Sequence, residues 1–146
     1  MMTTTPIRRR RERGAALLEA AVTVPIILLI SVGIFEFGRA YQTWQVLTNA
    51  AREGARLAVI AGSTDADVTG RVRGYMTAGQ LPNASTAVVT INRGVALTAS
   101  DTGSRITINY PFQFMVLNPV VRLVSPSATT GAPITMQASA IMRNEI

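Results

Sequence analysis

The first pattern along the chain is an apolar run with no period. Ala15 to Phe35 reads AALLEAAVTVPIILLISVGIF, with Glu19 as its single charge. A helix of that length spans about 31 Å, close to the ~30 Å of a bilayer's hydrocarbon core. The run is too long and too uniform for a cleaved signal segment. It predicts a retained transmembrane helix over 15–35. Pro25, near its middle, removes one backbone hydrogen bond and predicts a kink there.

Beyond Phe35 a helical period appears. Phe37, Ala40, Tyr41, Trp44, Leu47, Ala51, Ala55 and Ala58 recur at steps of three and four, with Arg39, Gln42, Gln45, Asn49, Arg52, Glu53 and Arg56 opposite. The helix is therefore expected to continue to Ala61, where Gly62-Ser63 supplies a stop. Its outer half, 36–61, carries one apolar stripe that must pack on something. Tyr41 and Trp44 fit two readings, a headgroup aromatic belt or a cover for the rest of the chain. Trp44 lies about 13 Å along the axis from Phe35, which favours the second.

Val68, Val72, Tyr75 and Met76 then predict a short helix over 65–78, opened by Asp65 and Asp67 and closed by Gly79. From Thr86 the period becomes two. Ala87, Val89 and Ile91 suggest a strand, Asn92-Arg93-Gly94 a turn, and Val95-Ala96-Leu97 a return strand. Ser100 to Gly103 reads as a second turn. Ile106, Ile108, Tyr110, Phe112 and Phe114 share one strand face, with Pro111 marking an edge or a bulge. Ile134, Met136, Ala138, Ala140 and Met142 define a last strand. The apolar stretch 115–132, broken at Asn118-Pro119 and Ser125-Pro126, suits a short helix after Pro119. It either buries itself on the sheet or forms a contact surface for a neighbouring subunit. The fold class is α+β: a long N-terminal transmembrane helix continuing as an amphipathic helix, packed on an antiparallel sheet of three to four strands.

Charge fixes the expected orientation. Of 14 basic residues, all Arg, five (Arg8, Arg9, Arg10, Arg11 and Arg13) precede the apolar run, against Glu12 alone, for a net +4. Residues 15–146 hold nine Arg and seven acids, a net +2. The arginine cluster is a topology anchor that keeps the N-terminus in the cytoplasm and sends the rest outward. Three parts follow: a basic cytoplasmic leader (1–14), a transmembrane helix (15–35) and an extracytoplasmic domain (36–146), the last divided into a helix extension (36–61) and a head (62–146).

Composition narrows the chemistry. With no His, Cys or Lys among 146 residues, there is no imidazole base, thiolate or amine nucleophile. Asp65, Asp67, Asp101 and Glu145 are scattered, without metal-ligand spacing. No catalytic residue, metal, cofactor or small-molecule substrate is expected. The head has no stripe of arginines interleaved with aromatics, so no nucleic-acid partner is expected either. Glu36 with Arg39, and Glu53 with Arg52 and Arg56, have spacings that allow local ion pairs. These five read by default as a solvated face of low energetic weight, and alternatively as subunit contacts.

Gly14 sits between the arginine cluster and the apolar run, with Glu19 five residues on. This arrangement resembles the cleavage region of type IV pilins and pseudopilins, in which a prepilin peptidase cuts after the Gly. The resemblance implies a mature chain beginning at Ala15. The longer stretch from Arg13 to Gly62, with FEFGR and TNAAREGAR inside it, is similar to the N-terminal signature of TadE-like proteins, minor pilins of the tight-adherence (Tad/Flp) pilus system. The tail, with NYPFQF, Leu117-Asn118-Pro119 and ITMQASAIMRNE, is similar more moderately. Many relatives carry an aromatic where this chain has Ala20.

The resemblance implies a pilin-like fold and an inner-membrane protein of one pass. Its partners would be the prepilin peptidase and other Tad pilus subunits, and its function non-enzymatic support of pilus biogenesis. It also gives Glu19 a role. A carboxylate in hydrocarbon costs a few kcal/mol unless paired. After cleavage, the Ala15 ammonium of one subunit would neutralise Glu19 of the next. The plainer reading is a carboxylate reaching the cytoplasmic headgroups, about 6 Å from Ala15 along the helix. The alternative function is a membrane-tethered α+β binding module, neither processed nor part of a filament.

Overall fold

The computed structural model describes residues 7–124 and 133–144. The first six residues of the leader and the expected break at Ser125-Pro126 lie outside the described residues. So do the side chains of Arg8, Arg9, Arg10, Arg11 and Arg13.

Helix α1 runs Ile7–Ala58, 52 residues and about 78 Å of axis. It starts eight residues before the expected Ala15, so the backbone of the arginine cluster belongs to the same helix as the apolar run. It ends three residues early, with Gly62 in the left-handed region at φ 82°. The helix is continuous through Pro25. From Leu17 to Phe35 its large apolar side chains other than the half-buried Val32 stand exposed, Leu17 at 72% and Ile34 at 70%. One window of this segment reaches a mean hydropathy of 2.4, enough by length and composition to cross a membrane.

The outer part of α1 is the spine of a small α+β head. Helix α2 (Asp65–Ala78) packs beside it, and strands β1 (Val88–Ala96), β2 (Thr102–Phe112) and β3 (Ile134–Arg143) form an antiparallel sheet in the order β1-β2-β3. A third helix, α3 (Leu117–Val124), lies between β2 and β3 in sequence. Thr64 starts α2 with a reciprocal cap: its side chain accepts from Asp67 N, and Asp67 Oδ2 accepts from Thr64 N.

The core forms where α1, α2 and the sheet meet. Leu47, Ala50, Ala51, Ala55 and Ala58 of α1 face Val68, Val72 and Met76 of α2 and Ile106, Ile108, Tyr110 and Phe112 of β2. Small residues on α1 set the spacing. A Cβ at Gly54 would come within 2.5 Å of Val72 Cγ2, so the absence of a side chain there lets α2 approach.

Four expectations need correction. The Asn92-Arg93-Gly94 turn is a β-bulge inside one strand: Asn92 pairs with Arg105 and Val95 with Gly103, leaving one extra residue on β1. Gly94 adopts φ 76°, which a residue without Cβ tolerates. The return strand is β2, reached through a turn in which Leu97 N donates to Asp101 O.

Second, Pro111 lies on the central strand. It falls past Val88↔Asn109, where β1 ends, so its missing N–H breaks no ladder on that side. Third, Tyr41 and Trp44 do not cover the sheet. Together with Phe37 they point outward, 62%, 47% and 80% exposed, and Glu36, Thr43 and Leu47 take the inward positions. Fourth, the pair expected of Glu53 with Arg52 or Arg56 is made across to α2, with Arg71 Nη2 3.0 Å from Glu53 Oε1, while Arg52 and Arg56 lie exposed.

The close approach at Gly54 generates opposite expectations for two glycines. Gly54→Val should lower head stability by about 2–3 kcal/mol through overpacking. Gly70→Ala, with open space around its Cβ, should raise it by about 0.5–1 kcal/mol. Thermal unfolding of the full chain in detergent, followed by Trp44 fluorescence, measures both.

Candidate functional site

The residue directly after the apolar run is Glu36, and its side chain turns inward. It is 2% exposed, the most buried acidic group of the described residues. A lone buried carboxylate is costly, so its partners are informative. Oε1 accepts from Val116 N at 2.5 Å and from Leu117 N at 3.3 Å. Oε2 takes Arg39 Nη1 at 2.8 Å, one helical turn along α1. The two amides are the free donors at the start of α3, where a helix favours negative charge. Glu36 therefore ties α3 to α1 across 80 residues of chain.

Arg39 is held as well. Its guanidinium carbon stands 5.4 Å from the centroid of the Phe112 ring. Phe112 in turn meets Phe114 edge to face, with centroids 5.3 Å apart. Beside this cluster a cavity of about 350 Å³ opens between Arg39, Thr43, Asn83, Tyr110, Gln113 and Met115. Asn83 closes its rim by donating from N to Tyr110 Oη and from Nδ2 to Pro111 O, both at 3.4 Å.

Burial pushes the Glu36 carboxyl up. The Val116 and Leu117 amides, the Arg39 guanidinium and the Met115 amide together outweigh it and hold the group below the ordinary value of 4.5. Glu36 thus stays charged in the folded head. The default expectation of a solvated pair is corrected here: the Glu36–Arg39 pair forms, but it is an internal tie.

A second polar clamp lies at the far end of α1. Arg93, on the β1 bulge, donates from Nη1 to Ala58 O at 2.7 Å and from Nη2 to Ser63 O at 3.0 Å. Its Nε meets Asp65 Oδ1 at 2.9 Å. One side chain satisfies the C-terminal carbonyl of α1 and joins it to the first turn of α2. The sequence offered only an Arg-Gly pair here, which reads as a turn. For Glu36 a signal did exist, a carboxylate at the exit of an apolar run with Arg three residues on, but its partner 80 residues away left no local mark.

Gly14, Ala15 and Glu19 lie apart from this cluster. All three are exposed on α1, and nothing stands within 4 Å of a Cβ placed on Gly14. Ala15 and Glu19 are one turn apart on the same helix face. Glu19 is about 26 Å along the axis from Glu36. The fold gathers Glu36 and Arg39 into a site with β2 and α3, and leaves Gly14, Ala15 and Glu19 exposed on α1.

The family model described as TadE-like protein matches residues 14–56. The matched span opens at Gly14 and includes Ala15, Glu19, Pro25, Glu36, Arg39, Arg52, Glu53 and Arg56. Over that span the chain is similar to TadE-like proteins. No curated protein and no solved structure matches the chain.

The Glu36 tie predicts a pH dependence. Its folded pKa is depressed, so its stabilisation is complete above the unfolded value near 4.5 and is lost as pH falls through the folded value. Denaturation between pH 6 and about pH 3 should show stability falling with acid, and Glu36→Gln should flatten that fall. Glu36→Ala at neutral pH should cost about 3 kcal/mol, because Arg39 and two amides lose their acceptor.

Proposed function

We propose that this chain is a non-enzymatic, membrane-anchored minor pilin or assembly protein of a Tad-type pilus. The observation that carries the proposal is the division of α1. Its first half presents bare apolar surface along the length of a bilayer, and its second half is the spine of a folded head. The TadE-like match covers both halves.

In this proposal residues 1–14 are a cytoplasmic leader, 15–35 cross the inner membrane, and 36–146 stand outside it. The arginines at 8–11 and 13 hold the N-terminus inside by the positive-inside rule. A prepilin peptidase cuts between Gly14 and Ala15. The new Ala15 ammonium of one subunit then meets Glu19 of a neighbour in low dielectric, where an unpaired carboxylate is expensive. The exposed Arg52 and Arg56 are available for contacts with other pilus subunits.

N-terminal sequencing tests this. After co-expression with an active prepilin peptidase, the membrane-extracted protein should begin at Ala15. A full-length product, with a control prepilin cut in the same cells, would support the unprocessed tethered module instead. Glu19→Gln should leave membrane insertion intact and reduce recovery of pilus subunits in complex with this chain at least several-fold; unchanged recovery removes the pairing role.

A further inference from the structure

Glu36 ends the apolar run and at the same time holds the start of α3. If the hydrocarbon boundary falls at Phe35, the Val116 and Leu117 amides bonded to Glu36 stand about one residue rise beyond it. The polar layer on each side of a bilayer is about 5–7 Å deep. The start of α3 therefore lies inside that layer.

The surface at this level is apolar where water would be expected. Phe37 is 80% exposed, Met115 61% and Phe35 52%. Phe35 and Phe37 follow, along α1, the exposed apolar side chains that begin at Leu17. Helix α3 reads LNPVVRLV, with the exposed Arg122 as its one charge. In its sequence the polar residues Asn118 and Arg122 are spaced one turn apart among apolar ones, the pattern of an amphipathic segment. At this height a lipid headgroup layer supplies both the apolar contact and the phosphates that a single Arg suits.

We infer that α3, with Phe37 and Met115 flanking its start, rests in the headgroup layer of the bilayer that α1 crosses, giving the head a second, interfacial membrane contact. The inference rests on the proposed membrane span. The contact biases the tilt of α1 in the bilayer, because the Glu36 tie holds the start of α3 on one side of that helix.

The chain contains no cysteine, so single labels are unambiguous. Leu28→Cys, Met115→Cys, Arg122→Cys and Ser100→Cys each receive an environment-sensitive fluorophore, and the full chains are reconstituted in anionic phospholipid vesicles. Nitroxide lipids report depth and aqueous iodide reports exposure. Position 28 should be quenched by deep nitroxides. Positions 115 and 122 should respond to headgroup nitroxides and be several-fold less open to iodide than position 100, at the far end of the head. If 28 is deep but 115 and 122 match 100, the inference fails and the span stands. If 28 is not quenched, the span itself fails. Shielding at 115 that disappears as protein is diluted into excess lipid would assign the surface to a second copy and overturn the lipid contact. Each variant is scored only where near-UV circular dichroism shows the head intact.

Discussion

One helix has to satisfy two solvents, and the change between them falls within a single residue. From Ala15 to Phe35 the side chains of α1 are apolar except for Glu19, Thr23 and Ser31; at Glu36 a charge turns inward and is met by three donors. Everything outward is organised by that switch. The carboxylate is affordable only because α3 delivers its first amides and Arg39 its guanidinium. Arg39 is held in turn by the Phe112 ring of β2. The junction between stalk and head is thus a polar joint, whereas the body of the head is held by close apolar packing of alanines and one glycine on α1 against α2 and the sheet.

The periodic parts of this architecture were legible in the sequence. The apolar run, the period of the outer helix, α2 with its Asp65 and Asp67 start, and the alternation of Ile106, Ile108, Tyr110 and Phe112 all depend on neighbours close in sequence. What stayed hidden depends on distant ones. Tyr41 and Trp44 fit an apolar stripe by spacing alone, yet the buried face is rotated toward Glu36 and Thr43 because the sheet approaches from that side. Asn92-Arg93-Gly94 has the composition of a turn, and only the continuing pairing with β2 makes it a bulge.

Much the same holds for the site. Gly14, Ala15 and Glu19 were singled out by resemblance, and Glu36 and Arg39 by their spacing. The TadE-like match spans all five. Their spacing gave the partnership of Glu36 with Arg39 but the wrong environment, since nothing within four residues of Glu36 announces that α3 will cover it. Arg93 carried no mark at all. Its three acceptors sit 28 to 35 residues away, on segments that meet only after folding.

The sheet order has a temporal side. Strand β3 comes last among the described elements, yet it lies against α1, the first, as well as pairing along ten residues with β2. Helix α2 can cover one side of the alanine stripe early, but the side that meets the sheet must wait until β2 and β3 have reached the same place. Any factor that escorts this protein during synthesis has a defined target: a helix about 33 Å long from Glu36 to Ala58, finished early and clothed late.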